Sequence, residues 1–383
     1  MFTALCGLGM AATATAYTPF LQTIGLSLGQ IALVNAIFWA TMIAAEMPTG
    51  MLADGKSRAW SLKMGVVFYG LGAVSYLCAV GFWSAVFAEM LIAVGGAFLS
   101  GAQQAWIADA LTREGAKDDL RHVYATDSVI RGSIMVLGGF AGSGIALTFG
   151  YRFIWVPFIF TGAIAFYVAK RYMNGKGEPL EYVTEMEAFK LSLKLLRESR
   201  ALLWVIAALI VFGAVVAFNH YWALYFLPQV GQWNLAYVWV VIYLGFVLAG
   251  MVARKLTIPL GQESKLIVGA LALTGLGLLA AAFPYLGIAV SGVVLHEFGR
   301  GFFTPLTDSF VQHRVHTSYR ATFGSLQSFL GRIGFAIVPF VVWIGIEGKP
   351  DSPETIRLVW LICAVIMLLG AGVLYALRPN GRE

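Results

Sequence analysis

Residues 46–58 read Glu46-Met47-Pro48-Thr49-Gly50-Met51-Leu52-Ala53-Asp54-Gly55-Lys56-Ser57-Arg58, a charged, glycine-bearing passage between two long apolar runs. A hydrocarbon core about 30 Å thick is crossed by about 20 helical residues, and each flanking run is that long. The passage therefore reads as the polar turn between two membrane spans. The rest of the chain repeats this pattern: of 383 residues, 59% are hydrophobic and only 12% charged, with a mean hydropathy of +0.78. An ordinary set of soluble domains is excluded by that composition.

Cutting the chain wherever charges, proline or glycine interrupt the apolar runs predicts an all-α integral membrane protein of twelve transmembrane helices. Their approximate limits are 2–24, 29–51, 60–81, 83–110, 123–149, 152–172, 201–228, 234–253, 266–285, 287–311, 321–346 and 356–377. The first run starts at Met1 with no basic segment before it and no small-residue cleavage site after it, so it is expected to stay as a mature span. The 26 Lys and Arg are distributed unequally between the two sides. One side carries only Arg152, Lys349 and Arg357, three more (Arg131, Arg300, Arg332) fall inside spans, and the rest lie on the other side. The positive-inside rule then places both termini in the cytoplasm, with the inner membrane as the expected location.

Scattered between apolar runs, the net charge of +6 does not form the basic face that nucleic acid requires, so no nucleic-acid partner is expected. The three cysteines, Cys6, Cys78 and Cys363, lie far apart in apolar stretches, and neither metal nor other cofactor is expected. The longest polar stretch separates a six-helix bundle at 1–172 from a second at 201–383, with residues 173–200 as a cytoplasmic linker. Within it Thr184 and Glu187 have capping-box spacing, while Met186, Phe189, Leu193 and Leu196 recur at helical intervals beside Lys190, Lys194 and Arg197; an amphipathic helix or a solvated tether fits this pattern. A faint repeat pairs Asp109 and Ala125-Thr126 with Asp308 and Ala321-Thr322.

Gly50, Leu52, Ala53, Asp54 and Arg58 match Gly-x-Leu-Ala-Asp-x-x-Gly-Arg-Lys, the signature between the second and third helices of the major facilitator superfamily. With the twelve spans and central linker, the chain resembles that family over essentially its whole length. Ser57 and Ala59 depart from the signature. The resemblance implies the major facilitator fold, two six-helix bundles around a central cavity, and secondary transport. Gly50, Asp54 and Arg58 are expected to form a conformational latch, Gly50 by close helix approach and Asp54 by accepting hydrogen bonds at a helix end. The passage also satisfies the phosphate-loop spacing Gly-x-x-x-x-Gly-Lys-Ser, but it joins two membrane spans instead of a strand and a helix, so nucleotide binding is not expected. The membrane-embedded Arg that many proton-driven members carry in helix 4 has no counterpart here, where Glu89 stands instead.

Five charges at bilayer depth, Glu89, Arg131, Glu297, Arg300 and Arg332, would cost about 12 to 17 kcal/mol facing lipid and must turn inward. Predicted spans 3, 6, 9 and 12 carry none in their central portions, matching the outer helices of the family. Candidate proton-coupling groups are Glu89, Glu297 and the adjacent His296, since burial and neighbours set when such groups ionise. Glu297 with Arg300, or a permanently neutral Glu89, also fit purely structural roles. Candidate substrate contacts are Arg131, Arg300, Arg332, Gln103, Asn219, Trp222, Asn35 and Trp39. Arginines from both halves could hold an anionic group; the aromatics suit an apolar or cationic solute.

The expected function is secondary transport of a small molecule by alternating access, with no enzymatic activity, as a monomer in the bilayer driven by protons or another ion. Proton-coupled export of amphipathic compounds, by antiport, is the leading expectation. Organic-anion uptake or symport, and carriage of lipid, are the alternatives.

Overall fold

The computed structural model describes residues 1–100, 102–115, 120–173, 185–253, 261–315 and 320–379; Asp54 and a few others within helices are described in backbone only. Fifteen α-helices are present among them: α1 Phe2–Thr13, α2 Tyr17–Thr23, α3 Leu28–Gly55, α4 Arg58–Leu77, α5 Phe82–Leu99, α6 Ala102–Arg113, α7 Leu120–Thr148, α8 Val156–Tyr172, α9 Glu185–Glu198, α10 Arg200–Phe212, α11 Val216–Ala253, α12 Glu263–Ala281, α13 Leu286–Arg314, α14 Arg320–Ile346 and α15 Pro353–Ala376.

Among the described residues, eight helical segments are long and apolar enough to cross a membrane, or nine when α1 and α2, bent by 49°, count as one. One of the eight is the 54-residue stretch Arg200–Ala253, about twice the length one crossing needs. It is broken at Gly231, whose φ of 76° and ψ of 163° lie outside the helical region, where a side chain would be strained. Predicted spans 3 and 10 correspond to α4 and α13. Both are helical but lie outside the apolar set, and both carry charged residues, Arg58 and Lys63 in one and Glu297, Arg300, Asp308 and Arg314 in the other. Large apolar side chains such as Trp83, Phe160 and Leu369 are well exposed, as a lipid-facing surface requires and a water-facing one does not tolerate.

The chain folds into two compact units. The first holds residues 1–182 with 226–239, the second 183–225 with 240–383. Within each unit the tightest helix contact is built on glycine. In the first, α4 and α5 approach so closely that a methyl group on Gly95 would stand 2.8 Å from the Gly65 carbonyl oxygen. In the second, α12 meets α13, and a methyl on Gly277 would stand 2.2 Å from the His296 backbone nitrogen. Small residues let backbones touch, which replaces the hydrophobic drive that lipid cannot supply. The contact recurs in register: Gly72 answers to Gly277 and Gly95 to Gly299, each about 205 residues further along the chain. Predicted only faintly from Asp109 and Asp308, the internal repeat is carried by this glycine register, which sets Asp109 opposite His313 instead.

The linker forms the helix α9, packed against α10 and α14. Leu196 is buried, while Lys190, Lys194 and Arg197 are exposed, as an amphipathic helix requires. The Thr184–Glu187 capping box falls outside the described residues.

Gly277→Ala is expected to lower stability by about 1 to 3 kcal/mol, because only backbone could yield to the added methyl. Gly70→Ala, in the same kind of helix but with nothing within 4 Å, should instead be neutral or stabilising by up to about 1 kcal/mol. Thermal unfolding of the two variants in detergent checks the contrast.

Candidate functional site

Glu89 projects from α5 and is 7% exposed. The Tyr76 hydroxyl, from α4, donates to its Oε2. Tyr17, at the start of α2, places its hydroxyl 3.4 Å from that of Tyr76 and also interacts with Asn35 of α3. Asn35 itself is anchored by donating to the Ile31 carbonyl at 2.9 Å. The Tyr76 ring is fixed by stacking on Trp155, centroids 4.2 Å apart, with Phe20 edge-on at 5.9 Å. Four polar groups from four helices thus meet in a closely packed aromatic setting. Among the described residues no Lys, Arg or His pairs with Glu89.

A second cluster forms on α13 and is built differently. Glu297, 2% exposed, accepts from Arg300 Nη1 at 3.3 Å through Oε1 and at 3.4 Å through Oε2. The same Nη1 donates to Asn219 Oδ1 of α11 at 2.9 Å. His296 is fully enclosed, its Nδ1 3.0 Å from the Thr274 carbonyl oxygen. A carbonyl only accepts, so the proton sits on Nδ1; Nε2 then lacks a hydrogen-bond partner and stands 3.9 Å from Glu297 Oε1. Arg300 keeps a third of its side chain exposed, so one face of the guanidinium points out of the cluster. Tyr243 faces the same Glu297–Arg300 pair.

The remaining predicted residues separate. Arg131 on α7 forks onto Asp127, with Nε and Nη2 each 2.6 Å from Oδ2, and Thr3 donates to the other carboxylate oxygen at 2.6 Å. This arginine already has its anion, yet its side chain stays 46% exposed. Gln103, on α6, holds an enclosed Nε2 with no hydrogen-bond partner. Trp222 is buried in the second unit, Arg332 is half-buried on α14, and Trp39 packs edge-on to Phe38.

The turn at 46–58 ends α3 and starts α4. Gly50 to Gly55 are helical, so the phosphate-loop spacing produces no loop. Ser57 caps α4 by accepting from the Trp60 amide at 3.1 Å, and Lys56 sits 4.3 Å over the Trp60 ring. Arg58 donates to Asp109 of α6 and forms an ion pair with it. The Asp54 side chain lies outside the described residues. At the corresponding place in the second unit, Glu263 at the start of α12 accepts from His313 at 2.6 Å and from Arg314 at 2.8 Å, both at the end of α13. By the glycine register Glu263 replaces Arg58 and His313 replaces Asp109. The same two helix ends are thus clasped in both units with the charges exchanged.

Polar groups that sequence reading did not single out complete the picture. Tyr17, Tyr76 and Tyr243 were hidden among many membrane aromatics. Thr274 lies in a helix read as outer and apolar, but its carbonyl orients His296. In the first unit, Gln232 donates at 3.4 Å to the Thr15 carbonyl and to Ser143, and accepts from Tyr151 at 3.0 Å. This node sits at the break between α1 and α2 and one residue past Gly231, where free backbone groups need partners.

Among the described residues the chain is all-helical, with apolar segments of membrane length and two units that repeat one glycine-packed helix contact, which is the architecture of an integral membrane protein. A sequence profile of the Major Facilitator Superfamily matches residues 1–339, and the chain belongs to that family. Among solved structures it is similar to the nucleoside transporter NupG, at 13% identity and a TM-score of 0.82 over 98% of this chain and 97% of that one. It is also similar to a bacterial homologue of the human lysosomal transporter Spinster, inward-facing and unoccupied, at 15% identity and TM-score 0.72 over 98% and 94% of the two chains. An auto-inhibited peptide transporter of the POT family matches at 13% identity and TM-score 0.72 over 99% and 96%. At these identities the likeness establishes the fold alone. No curated protein gives a significant sequence match.

Arg58→Glu sets two carboxylates against each other and is expected to cost about 2 kcal/mol, whereas Arg58→Glu with Asp109→Arg rebuilds the pair in the second unit's polarity and recovers most of the loss. Thermal unfolding of the single and double variants measures the recovery.

Proposed function

We propose that this chain is a proton-coupled secondary carrier in which Glu89 takes up and releases the proton and the Glu297–Arg300–Asn219 cluster contacts the solute. Glu89 carries the reading. It is a buried carboxylate met by the neutral hydroxyls of Tyr76 and Tyr17 and by no cation among the described residues, so protonation removes an uncompensated charge. Glu297 has a permanent counterion in Arg300, which suits a fixed, net-neutral recognition surface better than a proton carrier.

Charge balance also bears on the solute. Arg131 and Arg300 each already hold a carboxylate, so the charge available to an anionic solute is reduced and a small neutral or weakly amphipathic compound is favoured. The exposed face of Arg300 and the Asn219 amide offer hydrogen bonds to such a compound, with Arg131, Arg332, Gln103, Trp222, Asn35 and Trp39 as further lining candidates. His296 orients Glu297 in this scheme. Nucleoside and peptide transporters among the structural neighbours accord with a small hydrogen-bonding solute. The two halves, 1–172 and 201–383 with linker 173–200, alternate access to the site, with Gly50, Asp54 and Arg58 as a latch and both termini in the cytoplasm. Exchange of the solute against protons across the inner membrane is the direction this reading carries.

A thermal-shift screen of nucleosides, dipeptides and amphipathic amines at two pH values selects a ligand, and proteoliposomes then test coupling. Glu89→Gln is expected to keep counterflow and lose acceleration by a pH gradient, and Arg300→Ala to weaken ligand binding by about 10- to 100-fold, as loss of a charged hydrogen bond implies. Unchanged pH-driven transport in Glu89→Gln overturns the proton assignment, and unchanged affinity in Arg300→Ala overturns the recognition surface.

A further inference from the structure

We propose that Tyr17 and Tyr76 are the proton path to Glu89, with Tyr76 positioning the carboxyl group and Tyr17 linking it to water; this rests on Glu89 being the proton-accepting group. Tyr17 is the most exposed of the three: it is partly exposed, whereas Tyr76 is fully buried and Glu89 is 7% exposed. The Tyr17 hydroxyl stands 3.4 Å from that of Tyr76, which donates onto Glu89 Oε2, and Tyr17 also interacts with the Glu89 carboxyl group itself. Asn35, which donates to the Ile31 carbonyl, also interacts with the Tyr17 hydroxyl and steadies the outer end. Phe20, Tyr76 and Trp155 pack around the row at centroid distances of 4.2 to 5.9 Å and fix its geometry.

The transfer balances without charged tyrosine. Tyr76 gives its hydroxyl proton to Glu89 Oε2 as it receives the Tyr17 proton, and Tyr17 takes one from a hydronium ion, which becomes water. Only O–H bonds are exchanged. A following rotation of the two hydroxyls restores the starting order. Among the described residues, the titratable groups facing Glu89 are Tyr17 of α2 and Tyr69 and Tyr76 of α4, and none of them is a cation. Glu46, on α3, lies 3.5 Å from Ser100, at the far end of α5. Arg152, beside Trp155, donates at 2.7 Å to the Leu77 carbonyl.

The test needs no substrate. Infrared difference spectra of the whole protein in nanodiscs, recorded after a rapid drop in pH, follow the C=O stretch of the protonated carboxyl group, assigned to Glu89 by its loss in Glu89→Gln. Tyr17→Phe keeps the ring and is expected to slow the appearance of the band at least tenfold, with its final amplitude retained. Tyr76→Phe should slow it likewise and shift the band's frequency, because the carboxyl group loses its hydrogen-bond partner at Oε2. If both Phe variants acquire the band at the native rate, the path is wrong although Glu89 remains the acceptor. Absence of any band that Glu89→Gln removes defeats the acceptor assignment and the path together. Should Tyr76→Phe fold poorly, the rate in Tyr17→Phe decides alone.

Discussion

Inside a bilayer an ionised side chain finds no water, and every such group must be met by protein, neutralised or kept at a wet surface. Most of this structure's polar architecture follows from that demand. Arg131 is answered by Asp127 one turn away, and Arg300 by Glu297. Indole N–H groups of Trp204, Trp239 and Trp360 each donate to a main-chain carbonyl, at 2.9, 2.8 and 3.1 Å. Against this background Glu89 stands apart, since the described residues around it supply hydroxyls and no cation. The same constraint that forces pairing elsewhere makes the unpaired acid the group whose charge state changes.

Packing supplies the frame in which these pairs can be precise. Without a hydrophobic drive between helices, association depends on close backbone approach, and the glycines of α4, α5, α12 and α13 provide it. That contact fixes the register of each helix pair and so fixes what meets at their ends. It also sets the depth at which Tyr76 reaches Glu89 and at which the Thr274 carbonyl reaches His296. The helices read as outer therefore shape both polar clusters from behind.

Much of this was legible in the sequence, for identifiable reasons. Apolar length and the Gly50–Arg58 signature specify membrane helices and the family, because both are local properties of the chain. Embedded charges announced themselves by cost alone, and the spacing of Glu297 and Arg300 already placed them on one helical face. Pairing between distant residues was not legible. Nothing local to Tyr76, one of 15 tyrosines, marks it as the donor to Glu89. Nor does Asn219 reveal that Arg300 will reach it across 81 positions of sequence. Gly231 looked like any other glycine, and only its positive φ distinguishes the break in the long α10–α11 stretch. The repeat was sought in matching residues, whereas it persists in small residues at helix contacts while the charges around it changed sign.

That exchange of sign bears on how such a chain sorts its own helices. Four segments with the same glycine surfaces could mate in the wrong combination as they enter the membrane. An α4 that met α13 would bring Arg58 toward Arg314, and an α12 that met α5 and α6 would bring Glu263 toward Asp109. Both mistaken unions place like charges together, while both correct ones join opposites. Two duplicated halves with interchangeable surfaces can thereby insert as one polypeptide and still find their proper mates.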